Sequence, residues 1–224
     1  METTDLGQRS FWNWPGGNNL GYTYLLLFPS LSVWFLFVYA GTDYLAGLHS
    51  YRVPLYFQWE LGIPFVPAMV LVYNSLHLAY LIAPFIMRTR SEMHALVMVW
   101  VIITALGGIV FLVLPFEVGY PQPADGSLGP WRMMYQLADE HNLTFNSFPS
   151  LHVAWSIVCV DIYAGKARRF GKLLLWLWGV ALMLSTLLTH FHHVADVGGG
   201  FLLALLGSRV LYPWLHVRFQ QAAA

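Results

Sequence analysis

The residues best suited to chemistry lie in the segment LSTLLTHFHHVADVGGG, residues 184–200. It places His190, His192, His193 and Asp196 between two strongly apolar runs. His192 and Asp196 are four residues apart, so on a helix the carboxylate would lie beside the imidazole. A carboxylate bonded to one ring nitrogen fixes the tautomer and leaves the other nitrogen as a base or nucleophile. We therefore predict that His192 and Asp196 form a chemical pair.

A second segment, FNSFPSLHVAW, residues 145–155, contains another candidate histidine. Pro149 and Ser150 are typical of a helix start, where a serine side chain caps the first free N–H groups. His152 would then lie in the first turn of that helix. Capping is a common structural role, so this segment alone is weak evidence of function. It indicates a site only if the fold brings it next to residues 184–200.

The elements that must position these residues are membrane helices. The 224 residues are 58% hydrophobic and only 10% charged, with a mean hydropathy of +0.57, against about 25% charged in soluble domains. The net charge of zero gives no support for a nucleic-acid partner. Cys159 is the single cysteine and has no intrachain disulfide partner. The composition indicates one integral membrane domain over residues 1–224.

Six apolar runs are candidates for transmembrane helices, since a bilayer core of about 30 Å needs about 20 apolar residues. The fold class that we predict is an all-α membrane protein, a bundle of six spans. The N-terminal segment shows no basic stretch followed by an apolar core, so we expect the first span to direct insertion without a cleaved signal peptide. The predicted spans are residues 21–40, 63–87, 94–114, 151–165, 173–189 and 194–215.

The basic residues predict the orientation of the bundle. Nine of the eleven fall on one side of the six spans, Arg9 among them, and only Arg52 and Arg132 fall on the other. The positive-inside rule then places both termini in the cytoplasm and the loops 115–149 and 190–193 outside. The long loop contains WRMMYQLADEHN, which has the pattern of an amphipathic interfacial helix.

This topology brings the two histidine segments to one face of the membrane. Spans four and six both run inward, so both begin at the outer face, near Ser150 and near His192. Helix N-termini attract anions through their dipoles and their free N–H groups. We therefore predict a phosphate cradle, a site for anion chemistry, at the outer face of the membrane.

The two segments together resemble the type-2 phosphatidic acid phosphatase superfamily. Its usual signatures are Pro-Ser-Gly-His and Ser-Arg-x5-His-x3-Asp. Ser185, Thr186, His192 and Asp196 reproduce the spacing of the second signature, with Thr186 in place of the arginine. The leucine in PSLH and the Ser-Thr pair are closest in style to the inositol phosphorylceramide synthase-like branch.

The resemblance implies roles for individual residues. His192 would attack phosphorus to form a phosphohistidine, and Asp196 would orient it. His152 would protonate the leaving oxygen and then activate the acceptor. Ser150, Ser185 and Thr186 would contribute to phosphate binding.

The chain departs from the family pattern in its positive charges. The family's Lys-x6-Arg-Pro motif should precede FPSLH, but LPFEVGYPQPADG contains neither Lys nor Arg. Phosphoryl-transfer transition states depend on such positive charge, so another residue must supply it. We predict that Arg132 supplies it, with His190 and His193 as further phosphate-binding residues.

Fewer cations suit a phosphodiester better than a dianionic monoester. We therefore favour head-group phosphotransfer to a lipid hydroxyl, with no metal and no other cofactor. Two alternatives remain open. One is a lipid phosphate phosphatase acting on phosphatidate or a polyprenyl phosphate. The other is a metal- or haem-binding membrane protein that uses HFHH and His152 as ligands. The sequence does not indicate an oligomeric state.

Overall fold

The computed structural model describes residues 20–223. Arg9 and the N-terminal segment, with the insertion and cytoplasmic location predicted for them, lie outside the described residues.

Helices dominate the described part of the chain. A two-residue parallel pair joins β1, Val53–Pro54, to β2, Phe116–Glu117. A π-helical stretch, Leu206–Leu211, makes α8 and α9 continuous. The α-helices are α1 Leu20–Gly47, α2 Val70–Asn74, α3 Leu76–Ile86, α4 Arg90–Val113, α5 Arg132–His141, α6 Leu151–Lys166, α7 Arg169–Leu188, α8 Val194–Leu205 and α9 Tyr212–Ala223.

Five helical segments in the described residues are long and apolar enough to cross a membrane, which supports the all-α membrane class. They are Leu20–Gly47, Pro67–Ile86, Arg90–Val113, Arg169–Leu188 and Val194–Ala222. The fourth predicted span is α6, whose sixteen residues extend roughly 24 Å at 1.5 Å per residue. Twelve of those sixteen residues are buried, so α6 lies at the centre of the bundle. A sixth crossing by α6 stays a prediction.

Close packing around α6 holds the bundle together. The Trp155 ring stacks on Trp100 of α4 with centroids 5.2 Å apart, and its indole N–H donates to the Thr104 hydroxyl at 3.1 Å. At Gly107 of α4, an added Cβ would lie 2.8 Å from the Leu151 side chain. Packing and interhelical hydrogen bonds of this kind associate membrane helices, where lipid is as apolar as the side chains.

The helix ends differ from the predicted ones for local reasons. The first span extends past residue 40 to Gly47, and there the Asp43 carboxylate accepts a hydrogen bond from the Phe145 N–H at 2.8 Å. The second span is interrupted at Ser75, whose hydroxyl donates to the Val72 carbonyl and accepts from the Trp178 indole. The helix predicted in the long loop is present as α5.

The two ends of the bundle have different chemistry. At one end the loops meet: the β1–β2 pair forms there, the His190 Nε2–H donates to the Ile63 carbonyl, and the Tyr135 hydroxyl donates to the Thr189 carbonyl. At the other end Lys166, the last residue of α6, pairs with Glu92 in the first turn of α4. The histidine segments lie at the loop-rich end.

Candidate active site

The site is built where the first turns of α6 and α8 meet. The Ser150 hydroxyl caps α6 by accepting from the Val153 N–H at 3.3 Å. The Ser150 N–H donates to the Asp196 carbonyl at 3.0 Å, so one backbone bond joins the two helix starts. A Cβ at Gly200 would lie 2.4 Å from the Ser150 carbonyl oxygen, so the absence of a side chain there permits the approach.

His192 and Asp196 form a buried pair on this junction. His192 Nδ1 lies 3.4 Å from Asp196 Oδ2, and the two residues are 5% and 2% exposed. The same oxygen accepts the His193 N–H at 2.9 Å. The contact to His192 lies within ion-pair distance but lacks hydrogen-bond geometry. Nδ1 is thus the His192 ring nitrogen that lies beside the carboxylate.

The spacing between Thr186 and His192 builds the turn that presents the pair. The Thr186 carbonyl accepts the N–H groups of both Phe191 and His192 at 3.1 Å. The Ser185 and Thr186 hydroxyls donate to the Leu182 and Met183 carbonyls of their own helix. With their hydrogens used in this way, these two residues act here as parts of the turn.

His152 stands at the start of α6 with its ring fixed by an aromatic neighbour. It stacks on Tyr73 with centroids 3.8 Å apart and 13° between the planes. The Tyr73 hydroxyl in turn donates to Asn142 Oδ1 at 2.8 Å. His152 Nε2 is buried and has no hydrogen-bond partner in the described residues, and the ring is near enough to His192 for electrostatic interaction. The fold therefore brings the two histidine segments together.

His193 is held by protein groups at both ring nitrogens. Its Nε2 accepts the Gly119 N–H at 3.0 Å, so Nδ1 carries the hydrogen and donates to Glu60 Oε2 at 3.2 Å. The Glu60 carboxylate is fully buried and also accepts the Phe57 and Val194 N–H groups. Burial lowers the pKa of His193, outweighing the opposite effects of Asp196 and Glu60. The ring is thus a neutral connector with no N–H directed at a ligand.

His190 and His193 enclose a tyrosine ring. Tyr120 stacks on His190 at 4.0 Å and on His193 at 4.3 Å, and Tyr56 covers the far side of His193 at 4.7 Å. His190 adopts a φ of +61°, and its Nε2–H donates to the Ile63 carbonyl. Burial lowers its pKa. The Tyr120 hydroxyl is buried without a hydrogen-bond partner among residues 20–223.

A cavity of about 120 Å³ opens beside His192. The described residues that line it include neither Lys nor Arg. Arg132 is exposed at the start of α5. The Arg52 guanidinium donates to the carbonyls of His49, Tyr51 and Gly47 and lies 4.2 Å from the Phe145 ring centroid. The lining residues are Tyr39, Val118, Tyr120, Pro121, Gln122, Pro123, Tyr135, Asp139, Asn142, Leu143, Thr144, Asn146, Ser147, His190, Phe191 and His192.

Metal ligation was the other chemistry open to these histidines. Across the part of the chain that the structure describes, no three His, Cys, Asp or Glu side chains are grouped closely enough to hold a metal ion. His193 and Glu60 are in contact, but they bond to each other and to backbone N–H groups.

Sequence reasoning missed three residues of the site: Glu60, Tyr120 and Tyr73. Glu60 offered one signal, because it is an isolated acid within an apolar and aromatic stretch, FQWELGIPF. Tyr120 lies in a loop rich in Gly and Pro, and Tyr73 within an apolar span, so neither stood out from its neighbours.

A family model described as the PAP2 superfamily matches residues 48–210, about three quarters of the chain. The matched range contains both histidine segments, Glu60 and Tyr120. No curated protein and no solved structure matches the chain. On the family match we conclude that the chain belongs to the PAP2 superfamily.

Proposed function

We propose that this protein is a lipid head-group phosphotransferase that works through a phosphohistidine on His192. Family membership supports a phosphatase or phosphotransferase activity on a membrane lipid. One observation carries the more specific proposal: the buried His192–Asp196 pair at the start of α8 lies beside the start of α6, where His152 has an unpartnered Nε2 in the described structure.

In the first half-reaction the Nε2 lone pair of His192 attacks the phosphorus of the lipid phosphodiester. The bond from phosphorus to the diacylglycerol-type oxygen breaks, and that oxygen takes a proton from His152. Asp196 stabilises the positive charge that develops on the His192 ring. The head group stays attached to phosphorus, now bonded to Nε2.

In the second half-reaction a lipid hydroxyl attacks the phosphohistidine. His152, left neutral by the first step, accepts the hydroxyl proton as the new P–O bond forms and the P–N bond breaks. The protons and charges then return to their starting positions. The Tyr73 stack holds the His152 ring in place for both transfers.

The charge around the site favours a phosphodiester as substrate. The cavity beside His192 is lined, among the described residues, by neutral polar groups, aromatic rings and Asp139. A diester presents one negative charge and a monoester up to two, so the diester needs less compensation. We also assign phosphate binding to Ser150, whose hydroxyl accepts from the Val153 N–H at the start of α6.

The same proposal includes the membrane arrangement. With α6 as a sixth, central crossing, the end carrying Arg88, Arg90, Lys166 and Arg168 faces the cytoplasm under the positive-inside rule. Both termini are then cytoplasmic. The site opens at the outer leaflet, on the periplasmic, lumenal or exterior side.

A lipid assay separates transfer from hydrolysis. Purified protein is incubated with labelled phosphatidylinositol plus ceramide, and in parallel with labelled phosphatidate and polyprenyl diphosphate. The proposal expects a new head-group lipid from the first mixture. Released water-soluble phosphate without a new lipid would assign the protein as a lipid phosphate phosphatase instead.

Two variants test the assignment of the nucleophile in this assay. His192→Ala should abolish product formation of either kind. His141→Ala is the matched control, because His141 is exposed on α5 and its Nδ1 bonds only to the Leu137 carbonyl of its own helix. Full activity in His192→Ala would refute the mechanism.

Treatment with EDTA tests the metal-independent chemistry. All the steps above use groups of the chain itself, so we expect activity to survive EDTA unchanged. Loss of activity that zinc restores would assign a metal site in place of the phosphohistidine mechanism.

A further inference from the structure

The departure of this chain from its family's cationic pattern raises the question of which group stabilises the phosphoryl group during transfer. We propose that the Tyr120 hydroxyl donates a hydrogen bond to the phosphoryl group that is transferred at His192. This inference rests on the proposed function and adds to it a substrate-binding residue outside the histidine motifs.

The first support is the place of the hydroxyl. Tyr120 lines the same cavity as His192, and it lies near enough to Asp196 and Glu60 to interact with them electrostatically. The residue is only 8% exposed, and its hydroxyl has no partner in the described residues. A buried hydroxyl without a partner is unfavourable, so a ligand that accepts its hydrogen bond gains from the contact.

Three other polar side chains of the cavity wall donate to backbone carbonyls. The Tyr135 hydroxyl donates to the Thr189 carbonyl at 3.0 Å. The Asn142 amide donates to the Ala138 carbonyl, and the Asn146 amide donates to the Tyr39 carbonyl. Of these four side chains, Tyr120 is the one whose polar group has no partner in the described residues that would take its hydrogen.

The second support is the rigidity of the ring. His190 and His193 cover its two faces with planes within 9° and 8° of parallel, which holds the ring in one orientation. Both histidines are themselves fixed, His190 by the Ile63 carbonyl and His193 by Gly119 and Glu60. A donor held in place before the reaction stabilises developing charge without a cost of reorganisation.

The protonation state is suited to this role. Burial, together with the nearby Glu60 and Asp196, raises the pKa of Tyr120 to about 12. The hydroxyl therefore keeps its hydrogen at neutral pH and acts as a neutral donor. His190 and His193 then have a positioning role toward the phosphate, through the ring between them.

The test compares Tyr120→Phe with Tyr56→Phe. Both substitutions keep the aromatic ring in the stack, but only Tyr120 lines the cavity. We expect Tyr120→Phe to lower kcat/KM for phosphoryl transfer by about 100-fold, as loss of one preorganised donor does. Inhibition by orthovanadate, a mimic of the pentacoordinate phosphoryl group, should weaken by a similar factor. Tyr56→Phe should stay within about threefold of wild type in both measurements, and all three proteins should melt at similar temperatures.

The outcomes separate this inference from the proposed function. If Tyr120→Phe matches wild type in rate and in vanadate inhibition, while His192→Ala is inactive, the hydroxyl has no role and only the inference fails. Equal losses of kcat/KM in Tyr120→Phe and Tyr56→Phe would show that the stacked rings have only a structural role, and this result would also overturn the inference. Activity retained in His192→Ala would overturn the proposed function itself.

Discussion

Gly200→Ala tests whether the contact between α6 and α8 sets the geometry of the site. A Cβ at this position would lie 2.4 Å from the Ser150 carbonyl oxygen and 3.0 Å from the Val153 Cβ, where ordinary contact begins at 3.4 Å. The first of these atoms belongs to the backbone and cannot rotate away. The two helix starts must therefore separate by about 1 Å, a shift of the size that costs about 100-fold in rate when it misplaces reacting groups.

We therefore expect Gly200→Ala to lose about 100-fold in kcat/KM, equivalent to about 2.7 kcal/mol of transition-state stabilisation. The overlap should also lower the free energy of unfolding by about 1–3 kcal/mol. The matched control is Gly198→Ala, two residues earlier on α8, because no described atom apart from its chain neighbours and the backbone of its own helix lies within 4 Å of its added Cβ. Since alanine favours a helix over glycine by about 0.5–1 kcal/mol, this control should be active and at least as stable as wild type.

The assay combines the initial rate of lipid phosphotransfer in detergent micelles with a thermal melt of the same preparation. Gly200→Ala protein that is folded and retains a rate within threefold of wild type would refute the argument. So would equal losses in the two alanine variants, because the contacts of the two glycines differ.

Two further predictions concern the histidines. His152→Ala should slow cleavage of a natural lipid diester by about 100- to 10,000-fold, since general acid catalysis contributes that much. The same variant should cleave a p-nitrophenyl phosphodiester at a rate much closer to wild type, because that leaving group needs no proton. Equal losses on both substrates would contradict an acid role. Burial lowers the pKa values of His190 and His193, so the unfolded chain binds protons more readily than the fold. The stability that comes from keeping these rings neutral is therefore fully present above the unfolded pKa of about 6.5 and is lost as the pH falls below it. Thermal melts between about pH 7.5 and about pH 5 should show a falling unfolding temperature, and a flat profile would contradict the buried neutral rings.

The helices could be predicted from the sequence because long apolar runs leave few other structures in a membrane. His192 and Asp196 are in contact as their spacing predicts, but α8 begins at Val194, so His192 reaches the carboxylate from the turn before the helix and not from the helix itself. The central place of α6 was harder to predict from the sequence. Its sixteen residues form a short apolar run, and their burial depends on the neighbouring helices rather than on the composition of α6 itself.

The support around the chemical pair could not be predicted, because it comes from distant parts of the chain. Glu60 meets His193 across 133 positions, and Gly119 meets it across 74. A single sequence does not indicate which residues so far apart come into contact. His193 was expected to bind phosphate from its place in HFHH, whereas its nitrogens bond to Glu60 and Gly119 and its ring packs against Tyr120. A loop residue without a motif, Tyr120, thereby became the candidate donor.

The measurement that bears most directly on the central claim is capture of the phosphoenzyme. The protein is mixed for milliseconds with a phosphodiester lipid that carries a label in its phosphorus. The reaction is quenched in alkali, which preserves phosphohistidine, and the protein is then digested and sequenced by mass spectrometry. The account predicts one labelled peptide carrying the head-group phosphate on His192, formed at least as fast as turnover and missing in His192→Ala. Normal turnover with no labelled enzyme, or with the label on another residue, would contradict it.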